Sequence, residues 1–485
     1  MTMLGRIIRR EMLEHLMSLR FAIACVLCFV VILCSLFVRY HDYSNALSDY
    51  YEDSSAEDAA LRAVSEPGEL VFSGVVVRQK PNPLKIFVRG LEDGHGTAVT
   101  VNANEPVRME TTATLHPVAP LFPAMDYLYF VGVILSLMVI VFAYDAVCGE
   151  RERGTLRLML SYSVPRDAVL LGKWIGGYLS LILPFLLAIV SGATVVLVMA
   201  EEPLSTSQWL KMFSIVALSL VYIATMYSIA LWVSTMTAQA STSVMVLVTA
   251  WMLLVLAIPN ISPYLAQAWR PTDSPIEMEA ARRKAAEDIN RRLLDEPTAA
   301  YDREHGFERR WRRNVNMDDP ATRQRVQRRQ MFYAQCYASA ALERLRTDQK
   351  TVQDYQAQLD AQVSLSRWLA RISPFACFAL ATTELTDTGL LSRRHWSQQV
   401  QKYQLDLAKY ALEEYERFTA LQLDSPEQAP DWRRERGGPI PTFAHRDPAT
   451  AAYARAVVVD AGILVALAIV FFMLSYLCFL RYDVR

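Results

Sequence analysis

The chain has 485 residues, of which 53% are hydrophobic and 20% charged, with a mean hydropathy of +0.16. That combination requires the apolar residues to be gathered into blocks. The 49 Lys and Arg against 50 Asp and Glu leave a net charge of -1, without the basic surplus that a nucleic-acid partner demands.

In chain order, residues 1–20 carry Arg6, Arg9, Arg10 and Arg20 ahead of an apolar run at 21–38. That run is too long for a signal h-region and no small-residue cleavage site follows, so it reads as a retained span. Further runs at 127–147, 170–199, 212–236, 241–258 and 456–480 bring the count to six, each near the ~20 residues that a ~30 Å hydrocarbon core needs. Short-loop charge sets the orientation. Arg151, Arg153, Arg157, Arg166 and Lys173 follow the second run, whereas Glu201 and Glu202 follow the third. Both termini and the loop 148–169 are therefore expected in the cytoplasm, with 39–125 and 260–453 outside.

Segment 39–125 is expected to contain β structure, from apolar stretches at 70–77, 84–88 and 98–101 and a hairpin turn at Asp93-Gly94-His95-Gly96. His95 reads as an exposed turn residue, a ligand role being the alternative. Segment 260–453 is charged and poor in glycine. Asp319-Pro320 is a helix start, no proline or glycine follows until Pro374, and a second such stretch covers 392–419. Two long antiparallel helices are expected. The pairs Arg309-Arg310, Arg312-Arg313 and Arg328-Arg329 read as a solvated face paired with acids, or else as an anion patch. The stretch 368–380 is too short to span; it either rests on the outer leaflet or closes the core of this segment.

Chemistry-bearing motifs are scarce. The 7 cysteines form neither a disulfide framework nor a zinc pattern, and Cys25 and Cys28 read as apolar filler, a redox pair being the alternative. Gly172-Lys173 is followed by Trp174 and lacks the upstream glycine of a phosphate loop. H-E-x-x-H, G-x-S-x-G and EF-hand patterns do not occur, so the chain is expected to be non-catalytic and to hold no cofactor of its own. Asp460, early in the last run, is expected to reach outward toward Arg455, with a proton relay as the alternative. Gly176, Gly177, Ser191, Gly192, Ser228 and Ser234 suit close helix packing, substrate binding being the alternative.

The most informative stretch is the loop after the second run. Thr155 can cap a short helix with Leu156, Met159 and Leu160 on one side, which is either an interfacial helix or a knob for a soluble partner. Glu150-Arg151-Glu152-Arg153-Gly154-Thr155-Leu156, then Leu160, Pro165, Arg166 and Gly172-Lys173, resembles the E-x-E-x-G-T-L segment of the ABC-2 type permeases, where it forms the coupling helix that docks on the ATP-binding subunit. Arg6 to Leu19 resembles that family's elbow helix. Pro83 to Glu92, Ile372-Ser373-Pro374, Leu385 to Gly389 and Pro439 to Phe443 resemble motifs of a NosY-like bacterial subgroup with two extracytoplasmic insertions. Where that subgroup reads A-G-T-D, this chain has Thr386-Asp387-Thr388-Gly389.

The resemblance implies a mainly α membrane protein with six transmembrane helices of ABC-2 permease type, a small β-containing extracytoplasmic segment and a larger helical extracytoplasmic insertion. It implies residence in the bacterial inner membrane and pairing with a second permease copy or a similar permease. Cytoplasmic ATPase subunits binding ATP and Mg would contact Glu150, Arg151, Glu152, Gly154, Thr155, Leu156, Leu160 and Pro165. The permease would couple their ATP hydrolysis to export of a substrate or to motion of its extracytoplasmic insertion, which could act on an extracytoplasmic protein; a membrane scaffold or mechanotransmission subunit that moves no solute is the alternative. Copper, which the NosY-like label suggests, finds no His, Met or Cys cluster here.

Overall fold

A computed structural model describes residues 3–90, 98–105, 107–109, 125–161, 165–199, 204–307, 319–424, 431–446 and 450–481. Six helices among them are long and apolar enough to cross a membrane: Leu19–Ala63, Tyr127–Glu152, Arg166–Met199, Thr206–Met236, Ala240–Trp269 and Ala454–Leu480, the first to sixth spans. A short helix, α1 (Met3–Leu16), precedes the first span, and α2 (Thr155–Ser161) follows the second. The second and fourth spans are the most enclosed, with Tyr127, Phe130, Leu135 and Phe142 sharing one core with Ile215, Tyr222 and Tyr227.

The second span contains a π turn at Phe130–Leu135. The wider turn is served by hydroxyls: Ser136 and Tyr222 both donate to the Gly132 carbonyl, at 2.6 and 2.8 Å, and Trp251 Nε1 donates to Ser136 at 2.8 Å. A backbone irregularity at membrane depth persists only where side chains supply such partners.

The first span continues as helix to Ala63, well past Val38, because neither glycine nor proline interrupts 21–63. Its polar extension is held by Arg78, which binds Asp53 at 3.0 Å and Glu57 at 2.6 Å. Arg78 ends strand β1 (Val75–Arg78), which pairs antiparallel with β2 (Ala98–Val101), and β2 pairs with β3 (Arg108–Met109). Val75 opposes Val101 in the register. Of the stretches expected to be extended, 70–77 is a strand only from Val75, its start lying in the helix Pro67–Phe72, and 84–88 begins inside the 3₁₀ turn Pro83–Ile86. Pro81 and Pro83 cannot donate to a ladder, and the Asn82 side chain accepts from the Leu84 amide at 3.0 Å, fixing the turn instead. The turn at 93–96, with His95, lies outside the described residues.

The larger insertion is helical. The fifth span leads into α3 (Pro275–Asn290) and a short helix at Glu296–Glu304; α4 (Pro320–Ala370), α5 (Pro374–Leu385) and α6 (Leu390–Asp424) follow. Helices α4 and α6 run antiparallel. Arg394 binds Asp360, the Gln349 side chain donates to the Gln401 carbonyl at 2.8 Å, and Ala338, Ala341 and Leu345 meet Ala408, Ala411 and Leu412. Along another side of α4 the continuation of the fifth span also runs antiparallel: Gln362 donates to the Arg270 carbonyl at 2.8 Å, Arg282 binds Asp348, and Arg329 binds Asp302 at 2.6 Å. Arg329 thus has the acidic partner expected of it, while Arg309, Arg310, Arg312 and Arg313 lie outside the described residues. The sheet packs Val77, Val99 and Val101 on Trp396, Val400 and Leu407 of α6.

Of the stretch 368–380, Trp368 and Ile372 are exposed, while the part from Pro374 packs inward, though not into the core of the insertion. Helix α5 enters the membrane-helix core itself, where Cys377, Phe378 and Ala381 are buried and Phe378 stacks on Tyr222 at 4.8 Å. Its cap residue Ser373 accepts from the Ala376 amide and donates to the Leu254 carbonyl of the fifth span. Phe375 fills the space above Gly132, where a Cβ would come within 2.2 Å of the ring. Asp460 of the sixth span is fully buried and faces α5. It pairs with Arg371 Nε at 2.5 Å, not with the exposed Arg455. The same joint brings residues 82–90 against 385–389. Asn82 donates to the Thr386 carbonyl at 3.0 Å, Lys211 binds Asp387, and Gly90, at φ +61, leaves no room for a Cβ, which would lie 2.2 Å from Thr388 Oγ1.

Removing one member of a buried ion pair costs about 3–5 kcal/mol because the other charge is stranded. Arg371→Met is therefore expected to lower the thermal unfolding midpoint of the detergent-solubilised protein strongly. The double variant Arg371→Met/Asp460→Leu should recover most of that loss, as read by tryptophan fluorescence on heating.

Candidate coupling site

At the end of the bundle opposite the insertions, the second span breaks after Ala143 and resumes at Cys148–Glu152. The fourth span repairs this break. Ser234 accepts from the Val147 and Cys148 amides at 3.1 and 3.3 Å and donates to the Tyr144 carbonyl at 3.0 Å, to which Ser243 of the fifth span also donates, at 2.8 Å. Asp145, inside the break, receives Arg20 of the first span in two hydrogen bonds of 3.1 and 3.0 Å.

The conspicuous charge lies one span further on. Lys173 Nζ, 2% exposed, sits 2.9 Å from Glu11 of α1 and 2.8 Å from Glu150. The helix α1 can approach because Gly172 and Gly176 present no side chain: a Cβ there would meet Ile7 at 2.6 Å and Glu11 at 2.7 Å. A buried cation between two carboxylates ties the elbow-like helix, the third span and the start of the loop into one unit. Beside it His15 stands near Phe142, and burial holds the imidazole below its usual range.

The residues expected to meet a soluble partner separate into two sets. Glu150 is buried against Lys173, and Leu156, 1% exposed, wedges among Val147, Val169, Leu170, Leu231 and Phe479. Glu152 is exposed, yet its carboxylate accepts from the Ala240 amide at 3.1 Å and so caps the fifth span. Gly154, at φ +75, makes the sharp entry into α2. Thr155 does not cap that helix; its hydroxyl donates to the Glu150 carbonyl at 3.3 Å, binding α2 to the preceding turn. Arg151, Thr155 and Pro165 are exposed, and the side chain of Leu160 lies outside the described residues. Leu158, not among the expected contacts, is 66% exposed, with Arg157 exposed beside it. The loop closes where Arg166 donates to the Leu480 carbonyl at 2.7 Å at the end of the sixth span.

This small loop is therefore fastened to all six spans, with an exposed face of basic and apolar side chains around Leu158. Sequence reasoning passed over Lys173 and Glu11 as a pair. The available signal was a lysine at the head of an apolar run, which needs a named partner. No metal-binding cluster of His, Cys, Asp or Glu occurs among the described residues.

A family model described as ABC-2 family transporter protein matches residues 6–484. The chain belongs to the ABC-2 transporter family. It is accordingly a multi-pass membrane protein and a transporter permease subunit. Part of the permease is similar to two curated proteins, both called probable ABC transporter permease protein NosY. One, from Pseudomonas aeruginosa, is 41% identical over 69 residues, which is 14% of this chain and 25% of the relative. The other, from Stutzerimonas stutzeri, is 38% identical over 68 residues, with the same shares. The chain thus spans about a quarter of the length of these relatives.

Lys173→Met would strand two buried carboxylates and is expected to destabilise the permease by about 3–5 kcal/mol. The triple variant Glu11→Gln/Glu150→Gln/Lys173→Met, which removes charge from the whole cluster, should regain most of that stability. Detergent unfolding midpoints of the two variants check this.

Proposed function

We propose that this permease is driven by separate ATP-binding subunits that dock on the exposed face of α2 and the turn before it. The observation that carries the reading is the fastening of this loop to every span: a push on it reaches the first span through Arg20, the third through Lys173, the fourth through Ser234, the fifth through Glu152 and the sixth through Arg166. Docking would use Arg151, Thr155, Arg157, Leu158 and Pro165, while Glu150 and Leu156 keep the loop in shape. ATP and Mg would be held by the partner. The permease would act with a second copy of itself, or with a similar permease, in the bacterial inner membrane. Both insertions would stand outside the cytoplasm, and ATP-driven movement would serve export.

A second reading has its own observation. Helix α5 wedges between the fourth and sixth spans and is joined to the long insertion helices by links of only three and four residues, so movement of the spans would move the insertion. On this reading the permease transmits motion to an extracytoplasmic protein without moving a solute. ATPase activity in liposomes that rises with a candidate solute supports export; activity indifferent to solutes but altered by an extracytoplasmic protein supports transmission.

Leu158→Asp should leave recovery from the membrane unchanged, because the side chain is exposed. It should also reduce the co-purifying ATPase subunit by about tenfold or more, since an unpaired charge in a packed interface costs several kcal/mol. An undiminished, ATP-responsive complex would remove this face from the mechanism. A cysteine placed at the exposed Lys350 of α4 should react with an impermeant maleimide in intact cells. Reaction only after the cells are opened would reverse the topology.

A further inference from the structure

A cavity of about 370 Å³ opens where the fifth span, α4 and α5 meet. Its position along the membrane normal follows from the fifth span. Pro259 on its wall comes 19 residues after Ala240, about 29 Å along a helix at 1.5 Å per residue, which matches the ~30 Å hydrocarbon core. The cavity therefore lies at the boundary between acyl chains and headgroups on the insertion side. Exposed aromatics mark the same level: Tyr264 is 72% and Trp368 62% exposed, the placement expected of amphipathic rings at a membrane interface.

The walls divide by polarity. Pro259, Phe375, Ala379 and Leu380 form an apolar part, and Gln362, Ser366 and Arg367 of α4 supply the polar groups. Arg367 is the informative member. Its side chain is 19% exposed and its one ion pair among the described residues, with Glu384, is 3.6 Å long, too long for a hydrogen bond. Glu384 is itself buried, with Oε2 unpartnered. A guanidinium with five donors thus lines a mainly apolar cavity, and its own carboxylate takes none of those donors in a hydrogen bond.

We propose that this cavity holds one glycerophospholipid of the adjoining leaflet, its phosphate on Arg367 and the first part of an acyl chain against Phe375 and Leu380. Phosphate suits a guanidinium through paired charge-assisted hydrogen bonds, and the apolar wall accounts for the chain. The lipid would join the bilayer to the joint at which α5 enters the core.

Two measurements on the full-length protein test this. Native mass spectrometry of the detergent-purified protein should retain one phospholipid per chain, and Ala379→Trp, which fills the apolar part, should abolish the retention. In nanodiscs containing phosphatidylglycerol with a diazirine on its acyl chain, irradiation should label the segment 367–380 well above the lipid-facing surface at Val465 and Val470 of the sixth span. Glu384→Gln alone should keep that labelling; Arg367→Gln/Glu384→Gln, which removes the guanidinium without stranding a carboxylate, should lower it about tenfold. The proposal is overturned if the wild type retains no lipid and labels 367–380 no more than the sixth span, as ordinary boundary lipid would. Labelling unchanged in the double variant, or cross-linking of 367–380 to a second copy of the chain in place of lipid, overturns it equally.

Discussion

Inside the hydrocarbon core every backbone amide and carbonyl has to find its partner within the protein, at several kcal/mol for each failure. That constraint governs this structure at the places where its helices depart from regularity. The π turn in the second span is tolerated because Tyr222 and Ser136 reach its freed carbonyl. The break after Ala143 is tolerated because one serine, Ser234, serves two amides and a carbonyl at once. Hydroxyls that look like simple packing residues thus permit the bends that shape the two ends of the bundle.

Each end is then locked by buried charge. Lys173 with Glu11 and Glu150 holds one, and Arg371 with Asp460 holds the other. Such pairs are a weak source of net stability, because desolvating the ions offsets much of the attraction. Their effect is on geometry: once buried, each charge can sit only beside its partner, so the pair fixes which element lies where. The first cluster registers α1 against the third span and the loop; the second registers the joint between α4 and α5 against the sixth span.

The consequence for function lies in continuity. The first span extends as helix into the smaller insertion and the fifth continues into the larger one, while α5 returns from the insertion into the membrane core. Bundle and insertions therefore share elements, with no flexible tether at these crossings among the described residues. In this ABC-2 permease the helices of the bundle also frame the insertion, so the two proposed roles, export and transmission of motion, would use the same elements.

Six apolar runs, the helical character of the larger insertion and the loop that resembles a coupling helix were all legible in the chain, because length, hydropathy and the absence of glycine or proline are local properties. The 3₁₀ turn at Pro83 also had a local signal, two prolines around Asn82, outweighed there by the apolar run. What the chain could not disclose was partnership across long separations. Asp460 was matched with the nearby Arg455, yet it pairs with Arg371, 89 residues away. Leu156 and Glu150 looked like contacts for another protein, yet both are buried within this one, while Leu158 takes the exposed place. Sequence by itself determined which segments must be helices and which of them must lie in lipid, since burying apolar side chains and satisfying the backbone are settled segment by segment. Tertiary structure alone decided which face of each helix is spent inside the chain, because burial and charge pairing depend on neighbours that only the folded packing brings together.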